Sequence, residues 1–273
     1  MYLVDYHLHS DFSFDAKEKM KVICEYALSL NIKDISITDH VELGAHINCN
    51  WMENIKAAFA ELESLQKQFR GQLIIRKGIE LGNAHLEKKT AEAIVTEYTG
   101  DFIIGSVHNI NFDEDVGYYN YREKNIDRFM KEYLEKIKET VLYTDFDVLG
   151  HITYPLKAMS NQIRKLPELS DYKKEFCAIF EILAERKKGI EINTSGMRIT
   201  LQQYLPDIEL LRLYKECGGV YVTIGSDAHV SADVGKGIKG AAELLCKAGF
   251  DTVTTYSERK PILVSLESGE RIR

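Results

Sequence analysis

Short apolar runs alternate with stretches of helical periodicity from one end of the chain to the other. The runs that read as strands cover residues 3–9, 34–39, 73–80, 102–108, 147–151, 189–193 and 221–227. Between them, apolar side chains recur three or four positions apart, the spacing that lines one face of a helix. Trp51, Ile55, Phe59, Leu62, Leu65 and Phe69 form one such stripe. Ile126, Phe129, Tyr133, Ile137 and Val141 form a second, and Tyr172, Phe176, Ile179 and Leu183 a third. Strand–helix repetition at this spacing predicts a parallel sheet with crossover helices. Two further runs, 252–256 and 262–266, make a short tail. Only four prolines occur and no Gly/Ser-rich linker divides the chain, so residues 1–273 read as one domain. Periodicity alone fits either a closed barrel or an open doubly wound sheet.

Composition narrows the class. With 45% hydrophobic and 28% charged residues, collagen-like and largely disordered readings fall away. A chain of this length buries roughly three quarters of its unfolded surface and needs no disulfides to hold a core. Cys24, Cys49, Cys177, Cys217 and Cys246 contain no C-x-x-C pair, so they read as free thiols in a reducing compartment. The first residues lack the basic start and apolar run of a secretion signal. Nowhere do about 18 apolar residues run together, so no membrane partner is expected and the cytoplasm is the expected location. Thirty-five Lys and Arg against 42 Asp and Glu leave a net charge of −7, which argues against a nucleic-acid partner.

The histidines change the picture. Six of the eight stand at or just beyond the C-terminal end of a strand: His7, His9, His40, His108, His151 and His229. The third strand ends instead in a carboxylate, Glu80. In a closed α/β barrel all strand C-termini converge on one face, where active sites are built. His7-x-His9 and Asp227-x-His229 have the alternation that turns two side chains of a strand to one side. No thiolate joins them, which suits an N/O-ligated hydrolytic metal site better than structural zinc. His46 and His85 fall outside the pattern and are assigned to structure or solvent.

Other motifs fail on context. Gly235, Gly237 and Gly240 spell G-x-G-x-x-G, but about eight residues after the strand rather than in its turn, so they are read as opening a helix. Asp145-Phe-Asp147-Val-Leu149 resembles an aspartyl-phosphatase start but has Leu149 where Thr or Val belongs. G-x-S-x-G and H-E-x-x-H are absent.

A set of short stretches carries a family resemblance. In order they are Asp5-Tyr-His7-Leu-His9-Ser10, Ser13-Phe-Asp15, Thr38-Asp39-His40, Gly78-Ile-Glu80, Ser106-Val-His108, Gly150-His151, Glu191-Ile-Asn193-Thr-Ser-Gly196 and Gly225-Ser-Asp227-Ala-His229. Together they resemble the polymerase-and-histidinol-phosphatase (PHP) superfamily, and within it the histidinol-phosphatase branch. The resemblance implies a distorted (β/α)7 TIM-like barrel with up to three divalent metals, drawn from zinc, iron and manganese. By motif, it implies that His7, His9, Glu80 and Asp227 hold the first metal and that Glu80, His108 and His151 hold the second, with Glu80 bridging. Asp15, His40 and His229 would hold the third, with Asp11 a nearby competitor for the Asp15 role. The implied activity is hydrolysis of L-histidinol phosphate to L-histidinol and phosphate, a step of histidine biosynthesis.

The chemistry agrees with that division. A carboxylate has two oxygens and can span two cations, whereas a neutral imidazole ordinarily serves one. A bound dication lowers the pKa of coordinated water to about 7 at a favourable zinc site. The expected reaction is in-line attack by metal-bridging hydroxide, held through Glu80 and Asp227, with no covalent intermediate. Arg164 and Arg198 are the expected substrate-binding residues, because a guanidinium fork matches phosphate oxygens. Glu42 could meet a substrate ammonium but reads better as a solvated loop carboxylate. Tyr118, Tyr119 and Tyr121 read as packing the loop after His108 rather than as a lid. Alternatives are a PHP phosphoesterase acting on phosphotyrosine or nucleotides, a non-catalytic PHP scaffold, and an amidohydrolase-like C–N hydrolase.

Overall fold

Residues 1–44 and 50–272 are described by a computed structural model; His46 and Cys49 lie outside them. Each of the seven expected strands forms. They are β1 (Val4–Leu8), β2 (Asp34–Ile37), β4 (Ile74–Gly82), β5 (Phe102–Ser106), β6 (Val148–Leu149), β7 (Gly189–Asn193) and β8 (Val222–Gly225). They pair in parallel in the order β1-β2-β4-β5-β6-β7-β8. The ends of that path meet through a parallel bridge between Leu8 and Ala228, with the Asp227 N–H donating to His7 O and the His9 N–H to Ala228 O. The result is a nearly closed barrel, and the distorted TIM-like architecture is the one found. Gly225 lets the seam close, since a Cβ there would collide with His7 Cβ and Glu191 Oε1.

The three apolar stripes become α2 (Trp51–Gln68), α4 (Ile126–Tyr143) and α6 (Lys173–Glu185). Their inward faces are the predicted ones: Ile55, Phe59, Leu62 and Leu65 on α2, and Phe129, Tyr133, Ile137 and Val141 on α4, are buried against the strands. Gly237 takes a left-handed φ of 82° and begins a helix at Ile238, so the glycine-rich run opens a helix as expected.

One strand is interrupted in a way periodicity does not show. β2 lies beside the first half of β4, and after Thr38 and Asp39 a short β3 (His40–Glu42) resumes beside its second half. The break serves the loop after β1. Asp39 accepts from the Ser10 N–H at 2.6 Å, the Ser10 hydroxyl at 2.7 Å and the Ser13 hydroxyl at 2.8 Å. Glu42 is thereby carried into the barrel wall, where it is 5% exposed rather than a solvated loop carboxylate.

The tail folds into an antiparallel sheet of β9 (Thr252–Ser257), β10 (Lys260–Ser265) and β11 (Arg271–Ile272) that covers the N-terminal ends of the strands. The Tyr256 ring packs tilted at 34° against Phe102, and its backbone N–H donates to the Tyr6 hydroxyl at 3.2 Å. Arg259 grips Asp147 with Nε and Nη2 at 3.0–3.1 Å. Asp147 is therefore part of the structural closure of the lower mouth, and the aspartyl-phosphatase likeness of its stretch carries no chemistry. The opposite, C-terminal mouth remains open for a site.

Candidate metal centre

Nine side chains from six strand ends or following loops meet at the C-terminal mouth. Alternation along β1 puts His7 and His9 on one side. His7 Nε2 is 3.1 Å from Glu80 Oε2 and 4.0 Å from Asp227 Oδ1, while His9 Nε2 is 3.6 and 3.5 Å from the same two atoms. The other oxygen of Glu80 faces a second group: Oε1 is 2.9 Å from His151 Nε2 and 3.3 Å from His108 Nε2. Further out, Asp15 Oδ2 is 3.1 Å from His229 Nε2 and 3.5 Å from His40 Nε2. Asp11 pairs instead with Lys19. His40 also turns Nδ1 to within 3.0 Å of Glu80 Oε2, so it adjoins both the third group and the bridging carboxylate.

The arrangement fits divalent cations. His7 Nε2, His9 Nε2, His40 Nδ1 and Glu80 Oε2 are buried without a hydrogen-bond partner, a state natural proteins ordinarily avoid. Four overlapping triads of donors lie close enough to share an ion: His7–His9–Asp227, His7–Glu80–His151, His40–Glu80–His108 and His9–His40–His229. Nitrogen and carboxylate oxygen donors without sulfur suit zinc, iron or manganese.

A second layer holds the imidazoles in place. His7 Nδ1 lies 2.7 Å from Glu191 Oε1, and the other Glu191 oxygen accepts from the His151 N–H at 2.9 Å. His108 Nδ1 lies 3.0 and 3.1 Å from the two Glu42 oxygens, and Asn83 Nδ2 donates to Glu42 at 2.6 Å. Such carboxylate–histidine contacts fix the ring and leave Nε2 facing the ion. Glu191 and Glu42 were not assigned this role from sequence. The available signals were the inward phase of Glu191 on its strand and the i, i+2 relation of His40 and Glu42.

Charge is unevenly distributed. Burial, reinforced by the neighbouring His40 and His229, drives His9 down to about 3, so it is a neutral donor. Burial also opposes charging His7, yet Glu191, Glu80 and Asp227 raise its pKa well above the ordinary value. Against the same burial, Glu80 chiefly lifts His40 to about 10, and Glu42 with Glu80 lifts His108. Glu80 and Asp227 are held well below the carboxylate range despite burial, Glu80 by His7, His40 and His108 and Asp227 by Lys157 and His7.

Seven of the nine donors, all but the fully buried His7 and His9, line a cavity of about 420 Å³ that also takes in Phe14, Glu42, Asn109, Asp113, Glu114, Asp115, Tyr118, Tyr154 and Lys157. Lys157, which sequence reading did not single out, has Nζ 3.5 Å from Asp227 Oδ2. Neither expected arginine lines this cavity. Arg198 donates from Nη1 and Nη2 to the carbonyls of Ser226 and Asp227 at 2.6 and 3.0 Å and faces Asp233 at 3.4 Å. It braces the backbone that carries Asp227, a non-glycine residue at a left-handed φ of 56°. Arg164 is exposed and lines a larger groove, about 710 Å³, with Leu156, Leu210 and Leu213, because the chain turns away from the mouth after the short α5 (Leu156–Met159). His85 is buried against Ile110 O and Thr140, a structural role as expected. Tyr119 and Tyr121 pack on Phe129 as expected, whereas Tyr118 is 80% exposed.

Known proteins are similar to this chain. The chain is similar to a histidinol-phosphatase of Lactococcus lactis, 27% identical over 263 residues, covering 94% of this chain and 95% of the relative. It is 26% identical to a histidinol-phosphatase of Bacillus subtilis, covering 85% of this chain and 95% of that one. The crystal structure of histidinol phosphate phosphatase from Lactococcus lactis, complexed with zinc, L-histidinol and phosphate, superposes with a TM-score of 0.80 at 25% identity, covering 95% of this chain and 98% of that chain. A sequence model of the PHP domain matches residues 5–195, which include every candidate ligand except Asp227 and His229. With the barrel, the mouth and the motif-bearing strands in agreement with that match, the chain belongs to the PHP domain family.

Proposed function

We propose that the protein is a metal-dependent phosphomonoesterase that hydrolyses L-histidinol phosphate to L-histidinol and phosphate, a step of histidine biosynthesis. The observation that carries this is the likeness, over nearly the whole chain, to a phosphatase whose structure holds zinc, L-histidinol and phosphate. The nine converging donors give it a physical basis. His7, His9, Glu80 and Asp227 would hold one cation, Glu80, His108 and His151 a second, and Asp15, His40 and His229 a third. Bound divalent cations would neutralise phosphate charge and bring the pKa of water to about 7.

The chain's own residues do the rest. Glu80 presents one oxygen to each of two donor groups, which sets them side by side on the cavity floor. Lys157 places an ammonium in the same cavity, able to meet a phosphate oxygen without leaving Asp227. Glu191 and Glu42 keep His7 and His108 in the ring orientation that aims Nε2 inward. Burial of the floor strengthens each of these interactions. The reading extends to a small-molecule substrate, zinc, iron or manganese as the metal, and action in the cytoplasm. No described helix is long and apolar enough to cross a membrane.

The test is phosphate release from L-histidinol phosphate by metal-reconstituted protein, with p-nitrophenyl phosphate and phosphotyrosine alongside. A kcat/KM above about 10⁴ M⁻¹s⁻¹, and far above the others, is expected for the true substrate. Slow and indiscriminate turnover would remove the named substrate and keep the phosphoesterase.

A further inference from the structure

The four histidines of the first two donor groups are not held alike. His7 Nδ1 meets Glu191 at 2.7 Å, His108 Nδ1 meets Glu42 at 3.0 Å and His9 Nδ1 meets the Ser13 hydroxyl at 3.2 Å. His151 Nδ1 is buried and has no hydrogen-bond partner among the described residues. A ligating imidazole ordinarily fixes its ring through that second nitrogen, so His151 must be fixed by something else.

Rings surround it instead. His7 stacks on it with centroids 5.6 Å apart, and Tyr154 packs against it at 5.0 Å, tilted by 38°. Local sequence puts Tyr154 there. The turn after β6 closes with the Tyr154 N–H donating to His151 O at 2.7 Å, and Pro155 follows as the N-cap of α5. The far end of the ring is pinned, because its hydroxyl donates to the two Asp115 oxygens at 3.1 and 3.3 Å. Asp115 lies on the loop after β5, where the next N–H, that of Val116, donates to His108 O at 2.8 Å. Tyr154 also meets the His108 ring edge-on at 5.3 Å, so one side chain packs on both imidazoles of the second group. Lys157 Nζ stands 5.3 Å from the centre of the same ring.

We propose that Tyr154 is the positioning residue of His151, its anchored ring holding the imidazole with Nε2 towards Glu80 in place of the hydrogen-bonded partner the other three possess. The proposal rests on reading the donor cluster as a metal centre and assigns a role to a side chain that is not itself a ligand. An imidazole free to turn would lose its 2.9 Å approach to Glu80 Oε1. A neutral ring prevents that turn without adding negative charge where a phosphate must enter.

The test is a zinc titration of the metal-stripped full chain in competition with a chromophoric chelator. It compares the wild type, Tyr154→Leu, His151→Ala and the double variant Tyr154→Leu/His151→Ala. His151→Ala identifies the binding step that His151 serves. Tyr154→Leu is expected to weaken that step by about tenfold, the upper end of what an aromatic pair is worth. The step served by His7, His9 and Asp227 should stay within about twofold of the wild type, as expected for a local effect. In the His151→Ala background Tyr154→Leu should cost nothing further, since the ring then has no imidazole to hold. Asp115→Ala unpins the ring without emptying its place; it is expected to weaken the same step about threefold and carries the test if Tyr154→Leu does not fold. Equal losses in both backgrounds, or wild-type affinity in the Tyr154 and Asp115 variants, overturn the assignment alone. A wild type that takes up no zinc overturns the metal-centre reading and the assignment with it.

Discussion

Glu191 Oε1 lies 2.7 Å from His7 Nδ1, joining a strand near the end of the barrel to the first one, 184 residues earlier. The contact fixes the tautomer that leaves His7 Nε2 free to face Glu80 and Asp227. Replacing the carboxylate with an amide keeps the shape and removes the charge that orients the ring. Glu191→Gln is expected to weaken metal binding or kcat/KM by 10- to 100-fold, the usual effect of changing such a partner. Metal content after dialysis against a graded chelator checks this, and a full metal complement with normal turnover would refute it.

Glu42 stands in the same relation to His108, so Glu42→Gln is expected to behave in the same way. A solvated loop carboxylate would leave both metal content and turnover unchanged when replaced. Equilibrium metal competition on the two single variants, read alongside circular dichroism, separates the outcomes.

Metal binding should release protons. His7, His40 and His108 are raised in pKa by the carboxylates around them, and a cation needs their nitrogens free. Apparent affinity should therefore tighten as pH rises. In metal-stripped protein the sign for stability is the opposite. A histidine such as His40, raised from 6.5 to about 10, contributes stability that is complete below pH 6.5 and lost as pH climbs through about 10. Calorimetric titration in buffers of different ionisation enthalpy measures the released protons, and thermal melts of the stripped protein from pH 6.5 to 10 give the second trend.

The lower mouth should be separable from the chemistry. Arg259 is held by Asp147 and Asp145 at the end opposite the donor cluster. Arg259→Ala leaves the buried Asp147 without its cation and should cost about 3 kcal/mol of stability. Metal stoichiometry and KM should not change. Urea denaturation measures the first expectation and metal analysis with steady-state kinetics the second.

Attack by water held at the donor cluster makes a single displacement the expected outcome, with inversion at a chirally labelled phosphorus. Net retention would require a phosphorylated side chain and would overturn the in-line reading.

The parts of the molecule that were legible in the sequence are those set by local pattern. Alternating strands and 3.6-residue stripes announce a parallel sheet with crossover helices, and histidines clustered at strand ends announce a closed barrel and its active face. The legible signals end where side chains from distant elements decide the backbone. Asp39 turns aside to hold Ser10 and Ser13, which ends the expected 34–39 strand at Ile37, lets a short unexpected one follow and buries Glu42. Lys157 was hidden because nothing in its neighbours marks the single helical turn that returns it to the mouth. Arg164 was misplaced for the same reason: residues seven apart after that turn face different cavities. Arg198 reaches the expected loop, but its guanidinium is turned to backbone carbonyls that no sequence pattern reveals.

The seam between Leu8 and Ala228 has a consequence for how the protein is made. The donors that would share the first cation come from residues 7, 9, 80 and 227, on both sides of that seam. A nascent chain that has not yet emitted its eighth strand owns the donors of the second group but lacks Asp227 for the first and His229 for the third. Capture at the first group thus follows closure of the ring, and an ion held there would rivet the first strand to the last.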